Sequence, residues 1–138
     1  MPLKIPSRVD EFLRRPNPSV MGCVRPDGFP MTVATWYDWE DGRILVNMDA
    51  GRRRLAWIKG NPKVSLTVFG DDWSRHVSLY GLVVSLHDDT DLHDIDRLAL
   101  RYSGNAFPWR TAKRVSAWIE PHGWHVWDPS GELAGDGP

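Results

Sequence analysis

Seven short segments of strand character, which do not alternate with long helices, constrain the fold of this chain more than any other feature. Ser19 to Val24 is apolar and runs into Pro26-Asp27-Gly28, a strong turn signal. Met31 to Tyr37 mixes β-branched and aromatic residues and ends at Asp38-Trp39-Glu40-Asp41-Gly42, read as a turn. Arg43 to Met48 forms a third strand, and Val64 to Val68 alternates cleanly enough to be half buried. His76 to Leu86 is a long strand with Gly81 inside it, the mark of a bulge or of a close backbone approach. Arg114 to Ile119 and Trp124 to Trp127 flank Glu120-Pro121-His122-Gly123, which predicts a terminal hairpin. This order favours a mainly β, closed antiparallel barrel with a few peripheral helices over a βαβ architecture.

The helices are three. Ser7 is placed to cap a short one whose apolar face holds Phe12 and Leu13, closed by Pro16 and Pro18. Leu55 and Ile58, three apart, mark a second that ends before Asn61-Pro62. A third spans about Thr90 to Tyr102, with Leu92, Ile95, Leu98, Ala99 and Tyr102 on one face, Thr90 as cap and Gly104 as stop. No repeat or linker interrupts the pattern, so residues 1–128 read as one domain. The Gly-rich residues 129–138 read as a loose tail.

At 138 residues the chain can bury a real core, and a formal charge of −1 gives no general case for nucleic acid or an anionic membrane as partner. No run reaches membrane-spanning length, and Met1 to Arg15 is too charged for a signal peptide, so a cytoplasmic protein is expected. Cys23, the one cysteine, sits among Met21, Gly22 and Val24 and reads as core; it excludes an internal disulfide and a cysteine metal cluster. His87 and His93 flank an acidic run, but no metal-site motif is present and no metal is expected. Nucleophile-elbow, phosphate-loop and dinucleotide motifs are absent too, so no catalytic side chain is assigned and a bound cofactor is expected to carry any chemistry.

The positive charge is local. Arg52-Arg53-Arg54 opens the second helix, where first-turn N–H groups lack partners, the helix dipole is positive, and guanidinium offers a planar fork to phosphate or carboxylate. An anion site and a solvated basic turn both fit this run taken alone.

The order and spacing of these pieces resemble the pyridoxamine-phosphate-oxidase-like, FMN-binding split β-barrel superfamily, and within it the deazaflavin (coenzyme F420)-dependent reductase branch. The likeness runs from about Ser7 to Trp127. It is carried by Val24-Arg25-Pro26-Asp27-Gly28-Phe29-Pro30, Val33-Ala34-Thr35-Trp36-Tyr37, the arginines before Asn61-Pro62, Val77-Ser78-Leu79-Tyr80-Gly81, and Glu120-Pro121 followed by Trp127.

The resemblance implies a homodimer with cofactor at the subunit interface, F420 as cofactor with FMN as alternative, and a small-molecule electron acceptor of enone or quinone type. It implies that Arg53 and Arg54, with Arg52 beside them, grip the cofactor phosphate. Met48 and Asp49 would line the ring or adjoining chain, and Thr32, Thr35 and Trp36 would supply contacts from their strand. Arg75 and His76 match polar positions contributed by a partner subunit, and Trp127 a late tryptophan near the cofactor. Lys59 and Lys63 would meet an acidic F420 tail, and Tyr37 is a candidate proton donor. Vitamin B6 oxidation is not expected, because the Arg- and His-bearing end segment of those oxidases has no match. An FMN oxidoreductase and a non-catalytic cofactor-binding protein are the rival readings. For residues outside the arginine cluster, barrel packing explains the sequence equally well.

Overall fold

The computed structural model describes residues 3–133. The elements are α1 (Ser7–Arg14), β1 (Ser19–Val24), β2 (Pro30–Thr35), β3 (Asp38–Glu40), β4 (Arg43–Asp49), α2 (Arg53–Gly60), β5 (Lys63–Phe69), β6 (His76–Asp88), a 3₁₀ turn (Thr90–Leu92), α3 (His93–Ser103) and β7 (Arg114–Trp127). All strand pairs are antiparallel, in the order β2-β1-β5-β6-β7-β4-β3. The first and last strands of that order, β2 and β3, are joined through Trp36 and Tyr37 alone. So short a tie holds the two edges together, and the sheet closes into a split barrel.

Alternation fills the interior. Along β5, Val64, Leu66 and Val68 point inward; β1 sends Met21 and Cys23, and β6 sends Val77 and Leu79, to the same core. Val9, Phe12 and Leu13 of α1 join it. A smaller second cluster lies outside the barrel, where Ile95, Leu98 and Ala99 of α3 meet Phe107.

Three local expectations are corrected. Asp38-Trp39-Glu40 is a strand: it pairs with β4, and the turn shrinks to Asp41-Gly42, both with positive φ, the mirror-image turn that suits a two-residue hairpin. Trp39 is buried, its indole N–H bonded to Asp10 at 2.8 Å, and this outweighs the poor strand propensity of its acidic neighbours. The terminal hairpin does not form. Arg114 to Trp127 is one strand paired with β6 throughout, and Pro121 falls at a register shift opposite Gly81, where a missing N–H costs no ladder bond. Gly81 is required there, since a Cβ would overlap the Glu120 carbonyl and Pro121 Cα.

The caps also differ. The residue preceding α1 is Pro6, and Ser7 is its first helical residue. At α3 the cap comes from Asp89, whose carboxylate accepts the N–H groups of Asp94 and Ile95 at 2.8 Å each. Thr90 belongs to the preceding 3₁₀ turn. Gly104 does stop α3, with φ of 79°. Of the tail, residues 129–133 form turns on the Asp128 carboxylate and bury Leu133 against the core; 134–138 lie outside the described residues.

Candidate functional site

The site is built where β2, the end of β4 and the start of α2 meet. Strand β4 runs apolar into the barrel and releases the chain at Asp49, whose carboxylate accepts the Gly51 N–H at 2.8 Å and shapes the turn into α2. The first turn of α2 holds no acidic residue. Three guanidiniums are therefore delivered to one end of a helix whose own first turn carries no carboxylate.

Three contiguous depressions surround this point. A groove of about 410 Å³ is lined by Arg52, Arg53 and Arg54, by Met31, Thr32 and Val33 of β2, and by Cys23 and Trp57. Arg25 lies over the Trp57 ring at 5.9 Å, its guanidinium paired with Asp27 at 2.7 Å. Arg54 is shared with a second cavity of about 510 Å³ that holds Thr35, Trp36 and Tyr102. A third, of about 460 Å³, reaches Asp49, Arg52 and Arg114.

Arg54 decides what this arrangement can hold. Its Nε is buried and has no hydrogen-bond partner among the described residues. Burial, and then the charge of Arg52, lower its pKa. A buried guanidinium N–H without an acceptor costs on the order of 1–3 kcal/mol, and an anionic oxygen bound by the same guanidinium offsets part of that cost. The residues present thus fit the phosphate of a flavin-type cofactor.

Of the residues singled out from sequence, the grooves bring together Arg52, Arg53, Arg54, Thr32, Thr35, Trp36 and Asp49. Met48 is not among them: it is fully buried in the barrel core, because strand alternation turns it inward between Asn47 and Asp49. His76 and Trp127 pair with each other across β6 and β7, at the far end of β7 from Arg114, and line none of these depressions. Lys59 and Lys63 are exposed outside them. Tyr37 cannot serve as proton donor. It is fully buried, and its hydroxyl is shared between the carbonyls of Leu13 and Arg15 at 2.7 and 2.9 Å.

Sequence reasoning missed Arg114 and Asn47. Arg114 Nε donates to Asn47 Oδ1 at 2.9 Å, and its guanidinium lies 4.9 Å from the Phe107 ring centre. Asn47 Nδ2 in turn donates to Asp89 at 3.1 Å and to Ser116 at 3.0 Å, and Ser116 donates to Asp94 at 2.6 Å. A polar residue within the apolar run Ile44 to Met48 was the one signal available.

A family model described as pyridoxamine 5'-phosphate oxidase matches residues 5–128. The chain belongs to that family. Among solved structures, an F420 reductase is 27% identical, with 91% of this chain and 98% of that one covered at a TM-score of 0.78. General stress protein 26 from Bacillus anthracis is 21% identical over 88% of this chain and 92% of its own, TM-score 0.65. A pyridoxamine 5'-phosphate oxidase-related, FMN binding protein from Nostoc punctiforme is 12% identical over 85% and 76%, TM-score 0.63. The last two share the fold. No curated protein matches the sequence. Among the described residues no helix is long and apolar enough to cross a membrane, and no group of three or more His, Cys, Asp or Glu is placed to hold a metal ion.

Proposed function

We propose that this member of the pyridoxamine 5'-phosphate oxidase family is an F420-dependent reductase acting on an electrophilic organic acceptor such as an enone or quinone. The observation that carries the reading is the buried, unpartnered Nε of Arg54 in a groove lined by three consecutive arginines. The likeness to an F420 reductase across nearly the whole of both chains favours F420 over FMN.

Reduced F420, when bound, supplies a hydride to an electron-poor conjugated carbon. Arg53 and Arg54 would hold its phosphate, with Arg52 beside them toward the acidic tail. Thr32 of β2 lines the same groove and would offer it a hydroxyl. Trp36, stacked on Tyr102 at 5.5 Å with ring planes 7° apart, gives a rigid aromatic wall that excludes water. The hydroxyl of Tyr102 is engaged with the Asn17 carbonyl at 2.8 Å, and Tyr37 is buried, so the proton that completes a reduction comes from solvent. The protein acts as a homodimer. The exposed Trp127, with His76 opposite it, would reach the cofactor from the second copy.

Parallel titration of F420 and FMN, followed by quenching of tryptophan fluorescence, tests the assignment. Tight F420 binding with weak FMN binding, abolished by Arg53→Ala/Arg54→Ala, is expected. FMN preference would make the protein a flavin oxidoreductase. Binding of F420 without oxidation of its reduced form by a broad acceptor panel would make it a carrier or sensor. Binding of neither would refute the cofactor assignment.

A further inference from the structure

The cavity of about 510 Å³ on the far side of Arg54 has a chemistry of its own. Its walls are apolar and largely flat: Trp36 stacked on Tyr102, Ile95 and Leu98 from α3, and Phe107. Its polar end is cationic, and no carboxylate is among its lining residues. Arg54 stands in the wall shared with the arginine groove, whereas Arg114 belongs to this cavity and to the depression beside it.

Arg114 is prepared rather than neutralised. Its Nε is fixed by Asn47 and its guanidinium plane by Phe107. Asn47 is itself locked through Asp89 and Ser116, inside the buried network that also caps α3. The two η nitrogens have no hydrogen-bond acceptor and no ion-pair partner among the described residues. Burial lowers the pKa of Arg114, Asp49 offsets part of that fall and the charge of Arg52 adds to it; burial, then Arg52 and Arg114, lower that of Arg54. A side chain held this firmly, half withdrawn from water and with its fork unused, is arranged for a planar anion. The volume is that of a small-molecule site.

We propose that this cavity binds a planar, conjugated, mostly apolar molecule carrying a carboxylate, with the carboxylate on Arg114 and the apolar body along Trp36 and Phe107. The assignment rests on the proposed reductase reading, for which it names the class of acceptor.

The test is calorimetric titration of the purified protein with naphthylacrylate and with its neutral primary amide. The acid should bind about tenfold or more tightly than the amide, the difference one charge-assisted bidentate contact supplies. Arg114→Met should abolish that preference while leaving amide affinity within about twofold, and Arg114→Lys should restore part of it. Equal binding of acid and amide by the unaltered protein would overturn the proposal without recourse to any variant. So would an unchanged preference in Arg114→Met. Saturating F420 should leave naphthylacrylate affinity within about twofold; competitive displacement would assign the cavity to the cofactor and overturn the proposal as well. Failure of the reductase reading is separately visible. In that case F420 does not bind at all, while the preference for acid over amide persists.

Discussion

Replacing Arg54 by Met separates stability from binding at one side chain. Arg54 Nε is buried and unsatisfied among the described residues, and the neighbouring charges of Arg52 and Arg114 are repulsive. Methionine keeps an unbranched stem of similar reach and removes both the orphaned donor and the repulsion. The relief of an unpaired buried donor is about 1–3 kcal/mol, set against about 1 kcal/mol for the packing that the longer guanidinium side chain loses. The net expectation is a protein equally stable or about 1 kcal/mol more stable, a rise of about 3–5 °C in melting temperature for a domain of this size. Anion affinity should move the other way, by about tenfold to a hundredfold, the worth of a hydrogen bond to a charged group. Thermal denaturation followed by circular dichroism, without ligand and with F420, reads both at once. The ligand-free variant should melt no lower than the parent, and the upward shift produced by F420 should shrink. A ligand-free loss of more than about 1 kcal/mol would show that Arg54 is a structural residue, and the reasoning would fail.

Two further outcomes are expected. Tyr37→Phe should leave turnover unchanged and cost about 1 kcal/mol, since Arg101 still serves the same carbonyls at the end of α1, at 2.7 Å from Arg15 O and 3.3 Å from Leu13 O. Burial raises the Tyr37 pKa above its usual 10.0, so the unfolded chain ionises first. The stabilisation is present below pH 10 and is lost as pH climbs toward the folded-state value, so denaturant titrations of parent and variant should converge in alkali; parallel curves would contradict this. Gly81→Ala should destabilise by about 3 kcal/mol because its Cβ meets Glu120 and Pro121 backbone. Gly123→Ala should cost less, because what it meets is the swinging ring of Tyr80, 62% exposed; equal chemical-denaturation midpoints for the two would refute the distinction.

Much of the barrel was legible in the chain. Ser19–Val24 reads as an apolar run and Val64–Val68 alternates strictly, and Gly81 announces the close approach that the bulge then uses. What sequence could not show is where tertiary context reverses a local signal. Glu120-Pro121-His122-Gly123 reads as a turn until a partner strand with a glycine opposite makes the proline tolerable. Asp38–Glu40 becomes a strand because β4 and Asp10 hold it. In the site, the contiguous arginines were visible as a motif, whereas Arg114 depends on Asn47, 67 positions away, and through it on Asp89 before the 3₁₀ turn and on Ser116 of its own strand. Met48 shows the converse: a position matched to a cofactor contact whose strand parity turns it into the core.

On the proposed reading, the arginine groove holds an anionic deazaflavin by its phosphate and acidic tail. The direct measurement is the affinity of the purified protein for F420 against that for the same deazaflavin lacking phosphate and tail. F420 should bind about a hundredfold more tightly, an advantage that falls as salt rises because it is electrostatic. Equal affinity for the two, unchanged by salt, would contradict it.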